Sequence, residues 1–192
     1  MSPRSAKQLE EIREQSREKI LGAAFELFAT KGYHSTSIAQ IAKKAGVAKG
    51  LIYNYFEKKE DLMVGIVTGE FAKGDDVLGK IMSAESSKER LKIMIEIATD
   101  SIVKQQKQQK LMAQLSLQLH DFPQLEEMIK GRYINFMPFM TQIFKEIGYP
   151  EPEKEARYFS AMMDGFAMQY LVIGDALPIQ QIKEDIINRY CK

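Results

Sequence analysis

The sequence has little that could form a disulfide, a metal centre or a membrane span. Its single cysteine, Cys191, excludes an intrachain disulfide, a zinc ribbon and a redox pair. The first residues, MSPRSAKQLEEIREQSREK, are charged rather than apolar and do not resemble a secretory signal. The most apolar stretch, residues 159–173, is interrupted by Asp164, Gly165 and Gln169, so it is too short and too polar to span a bilayer. We therefore expect a cytoplasmic protein with no membrane partner.

Signatures of catalysis are also missing. The sequence has no glycine-rich phosphate loop, no nucleophile elbow and no metal-ligand cluster, and its two histidines lie far apart. Acidic pairs such as Glu60-Asp61 are typical of helix starts rather than of a paired acid and base. Cys191, near a chain end, is more typical of an incidental thiol than of a nucleophile. We expect no catalytic residue, no metal and no cofactor, with an enzyme as the main rival class.

The charge of the chain is nearly balanced overall but unevenly distributed. Residues 1–60 contain 11 Lys or Arg and 7 Asp or Glu, which gives a net charge of +4. The remaining residues contain 16 basic and 19 acidic side chains, which gives −3. A basic N-terminal part supports binding to nucleic acid, although this modest asymmetry is too weak to identify such a partner by itself.

Apolar residues recur with helical spacing through nearly the whole chain. The runs of Val, Ile and Thr that are typical of strands are absent. A hydrophobic content of 45% is enough for one good core, or for a small domain joined to a larger one. The pattern therefore predicts an all-α protein, whose first amphipathic helix runs from about Ser16 to Lys31.

Residues 36–56, TSIAQIAKKAGVAKGLIYNYF, contain a helix-turn-helix pattern. Ser37 and Gln40 are spaced for a capping box, in which each side chain satisfies a backbone N–H of the other residue. The helix that they begin ends at Gly46, and a second short helix begins near Ala48. Because the connection is so short, the two helices cross at a steep angle, as in DNA-binding motifs.

The second helix of this pattern presents Lys49 and Tyr53 on one outer face, because they lie four residues apart. In a DNA-binding motif this helix lies in the major groove, where each base pair shows its own donor and acceptor pattern. The alternative is that these are ordinary surface residues of a three-helix domain. We favour the DNA-binding interpretation, since a motif of this length matches by accident far less often than a short one.

These residues resemble the tetracycline-repressor (TetR) family of bacterial transcription regulators. The resemblance covers residues 16–64, and beyond Leu62 only the chain length and the helix pattern agree. It rests on matches at fixed spacing, at Ala24, Phe28, Gly32, Tyr33, Thr36, Ile41, Ala42, Gly46, Val47, Gly50, Tyr53, Tyr55, Phe56, Lys59, Glu60 and Leu62. It implies a ligand-responsive homodimer that binds a double-stranded DNA operator, and the family's habit is repression.

The resemblance also implies DNA contacts for seven residues. Some would approach phosphates at helix starts, some would meet the major groove, and the tyrosines would contact the DNA backbone. Thr36, Ser37 and Lys59 would approach phosphates, Lys49 and Gly50 would meet the major groove, and Tyr53 and Tyr55 would contact the DNA backbone. Ala48 and Lys58 depart from the pattern, because many members have a capping residue there, so the third and fourth helices are expected to lack a side-chain cap.

A helix-turn-helix protein of this kind is expected to dimerise and to read palindromic half-sites roughly 34 Å apart, or a multiple of that. Two apolar stripes near the C-terminus are predicted to pair with those of a second subunit in a four-helix bundle. Their residues are Phe159, Met163, Phe166, Tyr170, Ile179, Ile182 and Ile186. The alternative is that both stripes belong to the core of one chain.

The central helices are predicted to enclose a pocket for a small, largely apolar effector of unknown identity. Candidate lining residues are Met112, Leu115, Gln118, Tyr133, Phe136, Met137 and Met140. The alternative is a DNA-binding or interaction module without a ligand, in which these residues are core. The long helix after Lys59 would couple ligand to DNA, and its glycines at 65, 69, 74 and 79 are either places where it yields or close-packing sites.

The predicted architecture is thus all-α with about nine helices. A flexible N-terminal arm occupies residues 1–15, and a three-helix, helix-turn-helix DNA-binding domain occupies residues 16–60. A helical ligand-binding and dimerisation domain occupies residues 61–192.

Overall fold

The structure is a computed structural model that describes residues 5–191. Within that range it contains nine α-helices, two short 3-10 helices and no strand, which confirms the predicted all-α fold. The α-helices are α1 (Ala6–Lys31), α2 (Ile38–Ala45), α3 (Lys49–Tyr53), α4 (Lys59–Met82), α5 (Ser87–Lys104), α6 (Gln106–Ser116), α7 (Pro123–Ile147), α8 (Pro152–Ile173) and α9 (Ile179–Tyr190). None of the helices described is both long and apolar enough to cross a membrane. The same residues contain no group of three His, Cys, Asp or Glu side chains that could hold a metal ion.

The helices belong to two compact units. Unit 1 contains the described residues up to Ala72 together with Leu111–Leu125, and unit 2 contains Lys73–Lys110 and the described residues from Glu126 onward. Helices α4, α6 and α7 each contribute residues to both units. Unit 1 therefore differs from the domain predicted for residues 16–60, because it also includes the first half of α4 and a segment distant in sequence.

Helix α1 begins well before Ser16, its predicted start. The Ser5 hydroxyl accepts the Gln8 N–H at 3.2 Å, and Gln8 Oε1 accepts the Ser5 N–H at 2.9 Å, which forms a capping box. Residues 6–15, which the sequence assigned to a flexible arm, are therefore helical, and residues 1–4 lie outside the described part. Periodicity missed this start because the added turns are almost entirely exposed and have no apolar face to bury.

Helix α4 is continuous although it contains four glycines. A Cβ added at Gly65 would lie 2.9 Å from Leu21 Cδ2, closer than real Cβ contacts, so this glycine lets α1 and α4 pack closely. At Gly69 and Gly79 a Cβ would meet nothing within 4 Å. Of the two roles predicted for these glycines, close packing is the one that Gly65 has.

Unit 2 has an aromatic core to which α7, α8 and α9 contribute. The ring centroid of Phe144 lies 5.6 Å from that of Phe159 and 5.8 Å from that of Tyr190, and both pairs meet edge to face. Tyr190 is only 4% exposed, and its hydroxyl donates to Glu155 Oε1 at 2.9 Å. Burial and this hydrogen bond raise the pKa of Tyr190 to about 12.

Four of the seven residues in the two stripes predicted to form a dimer face are buried within unit 2. Phe159, Tyr170, Ile179 and Ile186 are buried within the single chain. The other three residues, Met163, Phe166 and Ile182, are partly buried and pack against the same core clusters. The alternative interpretation, an intrachain core, therefore describes the four buried residues, and the dimer contact predicted for the three partly buried residues stays a prediction. Helical spacing identified an apolar face of α8 and of α9 but could not tell which neighbour covers it.

Candidate nucleic-acid interface

Helix α2 and the turn after it are built by the predicted local signals. The Ser37 hydroxyl accepts the Gln40 N–H at 3.3 Å, and Gln40 Oε1 accepts the Ser37 N–H at 2.7 Å, which confirms the capping box. At the other end Gly46 takes a left-handed conformation with φ of 70°, which glycine adopts without a steric penalty. The Val47 N–H then donates to the Ala42 carbonyl at 3.0 Å and closes the turn.

Helix α3 follows at once and leaves its outer face uncovered. Ile52 is fully buried and anchors the helix, whereas Lys49 and Gly50 are exposed and Tyr53 is 49% exposed. Ala48 stands at the N-cap and makes no side-chain cap bond, as the sequence predicted. Among the residues that the structure describes, nothing covers the side of α3 that would enter a groove.

Tyr55 lies just beyond α3, and an arginine that the sequence pattern did not indicate lies beside it. The guanidinium carbon of Arg13 lies 5.9 Å from the centroid of the Tyr55 ring, at the long end of the range for a cation–π contact. Tyr55 itself is partly exposed. Arg13 was missed because it was assigned to a flexible arm, whereas the early start of α1 gives it a fixed place.

Thr36 is turned into unit 1 rather than towards solvent. It is 2% exposed, and its hydroxyl donates to the Gly32 carbonyl at 2.8 Å, with a longer contact to the Leu27 carbonyl at 3.3 Å. The hydroxyl is therefore not available to a phosphate, and its role is to fix the loop between α1 and α2. The Thr36 hydroxyl therefore does not face solvent, where the sequence predicted that it would approach a phosphate.

Lys59 is also used within the protein. Its ammonium group donates to the carbonyls of Tyr33 at 2.8 Å and of Thr36 at 3.0 Å, and lies 4.2 Å from the centroid of the Tyr33 ring. Burial lowers the pKa of the Lys59 ammonium below its ordinary value. These contacts tie the start of α4 to the loop before α2, so Lys59 braces the domain. The phosphate contact predicted for Lys59 stays a prediction.

The start of α4 has a cap that the sequence analysis did not expect. The Lys58 N–H donates to Asp61 Oδ2 at 3.0 Å, so a side chain three residues later satisfies a free donor of the first turn. Glu60 and Asp61 also place negative charge at the positive end of the helix. The substitution of a capping residue by Lys58 is thereby compensated from within the helix.

Gln118, a predicted pocket residue, belongs to unit 1. Its Oε1 accepts the Tyr33 N–H at 2.8 Å, and its Nε2 donates to the Phe28 carbonyl at 3.1 Å. The Phe122 ring meets the Tyr33 ring edge to face at 4.7 Å, and His34 Nε2 lies 3.1 Å from Asp121 Oδ2. The segment after α6 thus holds the end of α1 and the loop before α2.

Only part of the predicted pocket is brought together. Unit 2 has a cavity of about 280 Å³ between α5, α7 and α8. It is lined by Met94, Ala98, Tyr133, Phe136, Met140, Phe159, Ser160, Met163 and Asp164. Met137 lines a separate, wider depression of about 750 Å³. Met112 and Leu115 belong to unit 1 with Gln118, and Leu115 is only 1% exposed, so these three residues do not line the cavity of unit 2.

The helix-turn-helix segment matches known regulators in sequence. Residues 20–66 match the family model described as bacterial regulatory proteins, tetR family. Over 46 residues the chain is 50% identical to the fatty acid metabolism regulator protein of Bacillus subtilis (strain 168), and this match covers 24% of the chain and 24% of that relative. The chain spans about a quarter of the length of the curated relatives that it matches.

Solved structures extend the likeness to the whole fold. The transcriptional regulator FadR from Bacillus subtilis, in complex with stearoyl-CoA, matches with a TM-score of 0.67 and 20% identity, over 92% of this chain and 98% of that chain. A transcriptional regulator from Saccharomonospora viridis, in complex with choline, matches with a TM-score of 0.74 and 18% identity, over 92% of this chain and 95% of that chain. The chain therefore carries, at residues 20–66, the helix-turn-helix domain of the bacterial tetR family, and it has the fold of transcriptional regulators of that type.

Proposed function

We propose that this protein is a sequence-specific DNA-binding transcription regulator whose recognition helix is α3. The observation that carries the proposal is the exposure of Lys49, Gly50 and Tyr53 on a short helix anchored by the buried Ile52. A lysine ammonium can donate to the O6 and N7 acceptors of guanine, and a glycine lets the backbone approach the groove closely. These groups suit α3 to the major groove.

Contacts to the DNA backbone would flank the recognition helix. Ser37 accepts a hydrogen bond through its oxygen, so its hydroxyl proton is free to donate to a phosphate at the N-terminus of α2. Tyr53 and Tyr55 carry hydroxyl donors at the other end of the motif, and Arg13 beside Tyr55 adds a positive charge. We assign phosphate positioning to these four residues and base reading to Lys49.

The protein would act as a homodimer in the bacterial cytoplasm. The outer face of α8 is apolar and uncovered in the single chain, with Tyr158, Met168, Val172 and Ile173 exposed by 60%, 57%, 76% and 51%. We propose that this face, rather than the buried stripes, pairs with the same face of a second copy. Such a symmetric pair presents α3 twice, as a palindromic operator requires.

The cavity of unit 2 would hold the effector that releases the protein from its operator, which makes the protein a repressor. Two regulators of this fold hold stearoyl-CoA and choline, which differ greatly in size and in charge. The fold therefore leaves the choice of ligand to the residues that line each cavity. For this chain the lining is mostly apolar, which suits a small, largely apolar ligand.

Coupling between effector and DNA would pass through α6 and Gln118. Helix α6 contributes residues to both units, and Gln118 holds the end of α1 and the loop before α2. A ligand that favours one position of α6 would thereby change the setting of the helix-turn-helix. Such couplings are typically about 1–3 kcal/mol, which limits how far the effector can weaken the operator complex.

A gel-shift experiment tests the proposed function. The full chain is titrated onto DNA that flanks its own gene at several salt concentrations, and we expect a site-specific complex that weakens steeply as salt increases. Lys49→Ala should change the preference among operator sequences, because it removes a base contact. Lys80→Ala, an exposed lysine of unit 2, is the charge-matched control and should change nothing. No specific complex at low salt would contradict the proposal.

A further inference from the structure

The cavity of unit 2 is lined by one buried and one exposed polar group that have no partner among the described residues. Ser160 Oγ is buried and has no hydrogen-bond partner. Asp164 lies four residues further along α8, so both side chains project from the same face into the cavity lining. Among the described residues, the Asp164 carboxylate has no ion pair or hydrogen bond. Buried polar groups are usually paired, so the Ser160 oxygen indicates a missing ligand group. Asp164 is exposed to solvent, and its carboxylate lies one helical turn from that oxygen on the cavity lining.

The rest of the lining suits a cation. It contains the aromatic rings of Tyr133, Phe136 and Phe159, whose faces carry negative partial charge. It also contains three methionines, whose polarisable thioethers adapt to apolar groups of different shape. Within the described part of the chain, no lysine, arginine or histidine lines the cavity. A cationic group would therefore meet one carboxylate and three rings, whereas an anion would meet no positive charge.

The charge of Asp164 has no compensation inside the protein. Partial burial beside the cavity raises the pKa of its carboxyl group, and no neighbouring charge contributes to that shift. An ammonium group in the cavity would supply the opposite charge and at the same time donate to the unpaired Ser160 oxygen. A hydroxyl ligand could satisfy Ser160 but would leave the carboxylate uncompensated.

We propose that the effector is a compact lipophilic amine, bound in its protonated form. Its ammonium N–H groups donate to the Asp164 carboxylate and to Ser160 Oγ, and its apolar body packs against the aromatic rings. This inference rests on the proposed function, because it takes the cavity as the effector site. A volume of about 280 Å³ is at the small end for ligand pockets, and the carboxylate repels the phosphates of an acyl-CoA.

Calorimetric titration of the full chain, without DNA, tests the proposal with three probes of nearly equal shape. These are 4-phenylbutylamine, 4-phenylbutan-1-ol and 4-phenylbutyrate, which are cationic, neutral and anionic at neutral pH. We expect the amine to bind at least about tenfold more tightly than the alcohol, because hydrogen bonds to a charged group are the stronger kind. The carboxylate should bind more weakly than the alcohol.

Two variants and a control locate the effect. Asp164→Asn should abolish the preference for the amine while leaving the affinity for the alcohol nearly unchanged. Ser160→Ala should weaken amine binding but keep the preference, since the carboxylate remains. Glu184→Gln removes an exposed charge of α9 that does not line the cavity, and it should bind all three probes as the wild type does.

Equal affinities for the three probes, a preference for the carboxylate, or an amine preference that survives Asp164→Asn would overturn the proposal. A gel shift with operator DNA separates this failure from failure of the proposed function. If stearoyl-CoA releases the DNA and the amine does not, the regulator is ligand-responsive and the amine inference is wrong. If no operator is bound although the amine binds in calorimetry, the cavity chemistry stands and the proposed regulator function fails.

Discussion

The backbone N–H of Tyr33 donates to Oε1 of Gln118, 85 residues away in the sequence, at 2.8 Å. The same carboxamide donates through Nε2 to the carbonyl of Phe28, which lies in the last turn of α1. One side chain thereby satisfies a loop donor and a helix carbonyl that flank the entrance to α2. The segment that contains Gln118 thus stabilises the helix-turn-helix, although the sequence pattern placed this residue in the ligand pocket.

We predict that Gln118→Ala lowers the free energy of unfolding by about 1–2 kcal/mol, because two hydrogen bonds are lost at partly buried backbone groups. Thermal or urea unfolding of the full chain measures the change. Gln114→Ala is the matched control, since the Gln114 side chain is exposed and only its carbonyl takes part in a hydrogen bond. Equal stability of the two variants would contradict the role assigned to Gln118.

Thr36→Val is expected to lower stability without altering the electrostatics of DNA binding. The buried hydroxyl donates inside the domain, so its loss should lower the free energy of unfolding by about 1 kcal/mol. The slope of log affinity against log salt should stay at its wild-type value, because no phosphate contact is removed. Thr36→Ser keeps the hydroxyl and serves as the control. A shallower salt slope in Thr36→Val would show that the Thr36 hydroxyl contacts a phosphate in the complex, as the sequence predicted.

Asp164→Asn is expected to stabilise the protein in the absence of ligand. The pKa of the folded-state carboxyl group is raised above the ordinary 3.8, so its ionised form is disfavoured by folding. The stability of the wild type relative to the variant therefore falls as the pH rises through the raised pKa and remains lower at neutral pH. Because the side chain is partly exposed, the gain should stay within about 1 kcal/mol, or roughly 2–4 °C in Tm. An unchanged or lower Tm for Asp164→Asn at pH 7, with Glu184→Gln as control, would contradict this.

Tyr190 should make the protein sensitive to alkaline pH. Its folded-state pKa is about 12, above the ordinary 10.0, so its neutral form is favoured by folding. The contribution to stability is complete below pH 10 and is lost as the pH rises through about 12. Tyr190→Phe should therefore lose less stability across this range than the wild type, as measured by urea unfolding at each pH. Tyr53→Phe, a change at a tyrosine that is 49% exposed in the DNA-free chain, should follow the wild-type curve.

Local chemistry made much of this fold predictable. The capping box of Ser37 and Gln40 and the left-handed Gly46 each depend on residues a few positions apart, and so does the start of α5 at Ser86. The identity of α3 followed from the same segment. Helix periodicity then predicted that the rest of the chain is helical.

Long-range packing was not predictable in the same way. Residue spacing does not specify side-chain directions. It therefore could not predict that the Thr36 hydroxyl points inward or that Lys59 reaches a carbonyl of the loop before α2. The apolar stripe through Phe159 could equally have met a second subunit or its own core, because both covers exclude water. Gln118 carried no local signal, since its partners lie at the other end of the chain.

The most direct test of the central claim is a hydroxyl-radical footprint of the full chain on its operator. A symmetric pair that inserts α3 twice should protect two similar patches, centred roughly 34 Å apart or a multiple of that. Lys49→Ala should weaken both patches together on the wild-type sequence. A single protected patch, or none at low salt where non-specific contacts are strongest, would contradict the assignment of α3 as a paired recognition helix.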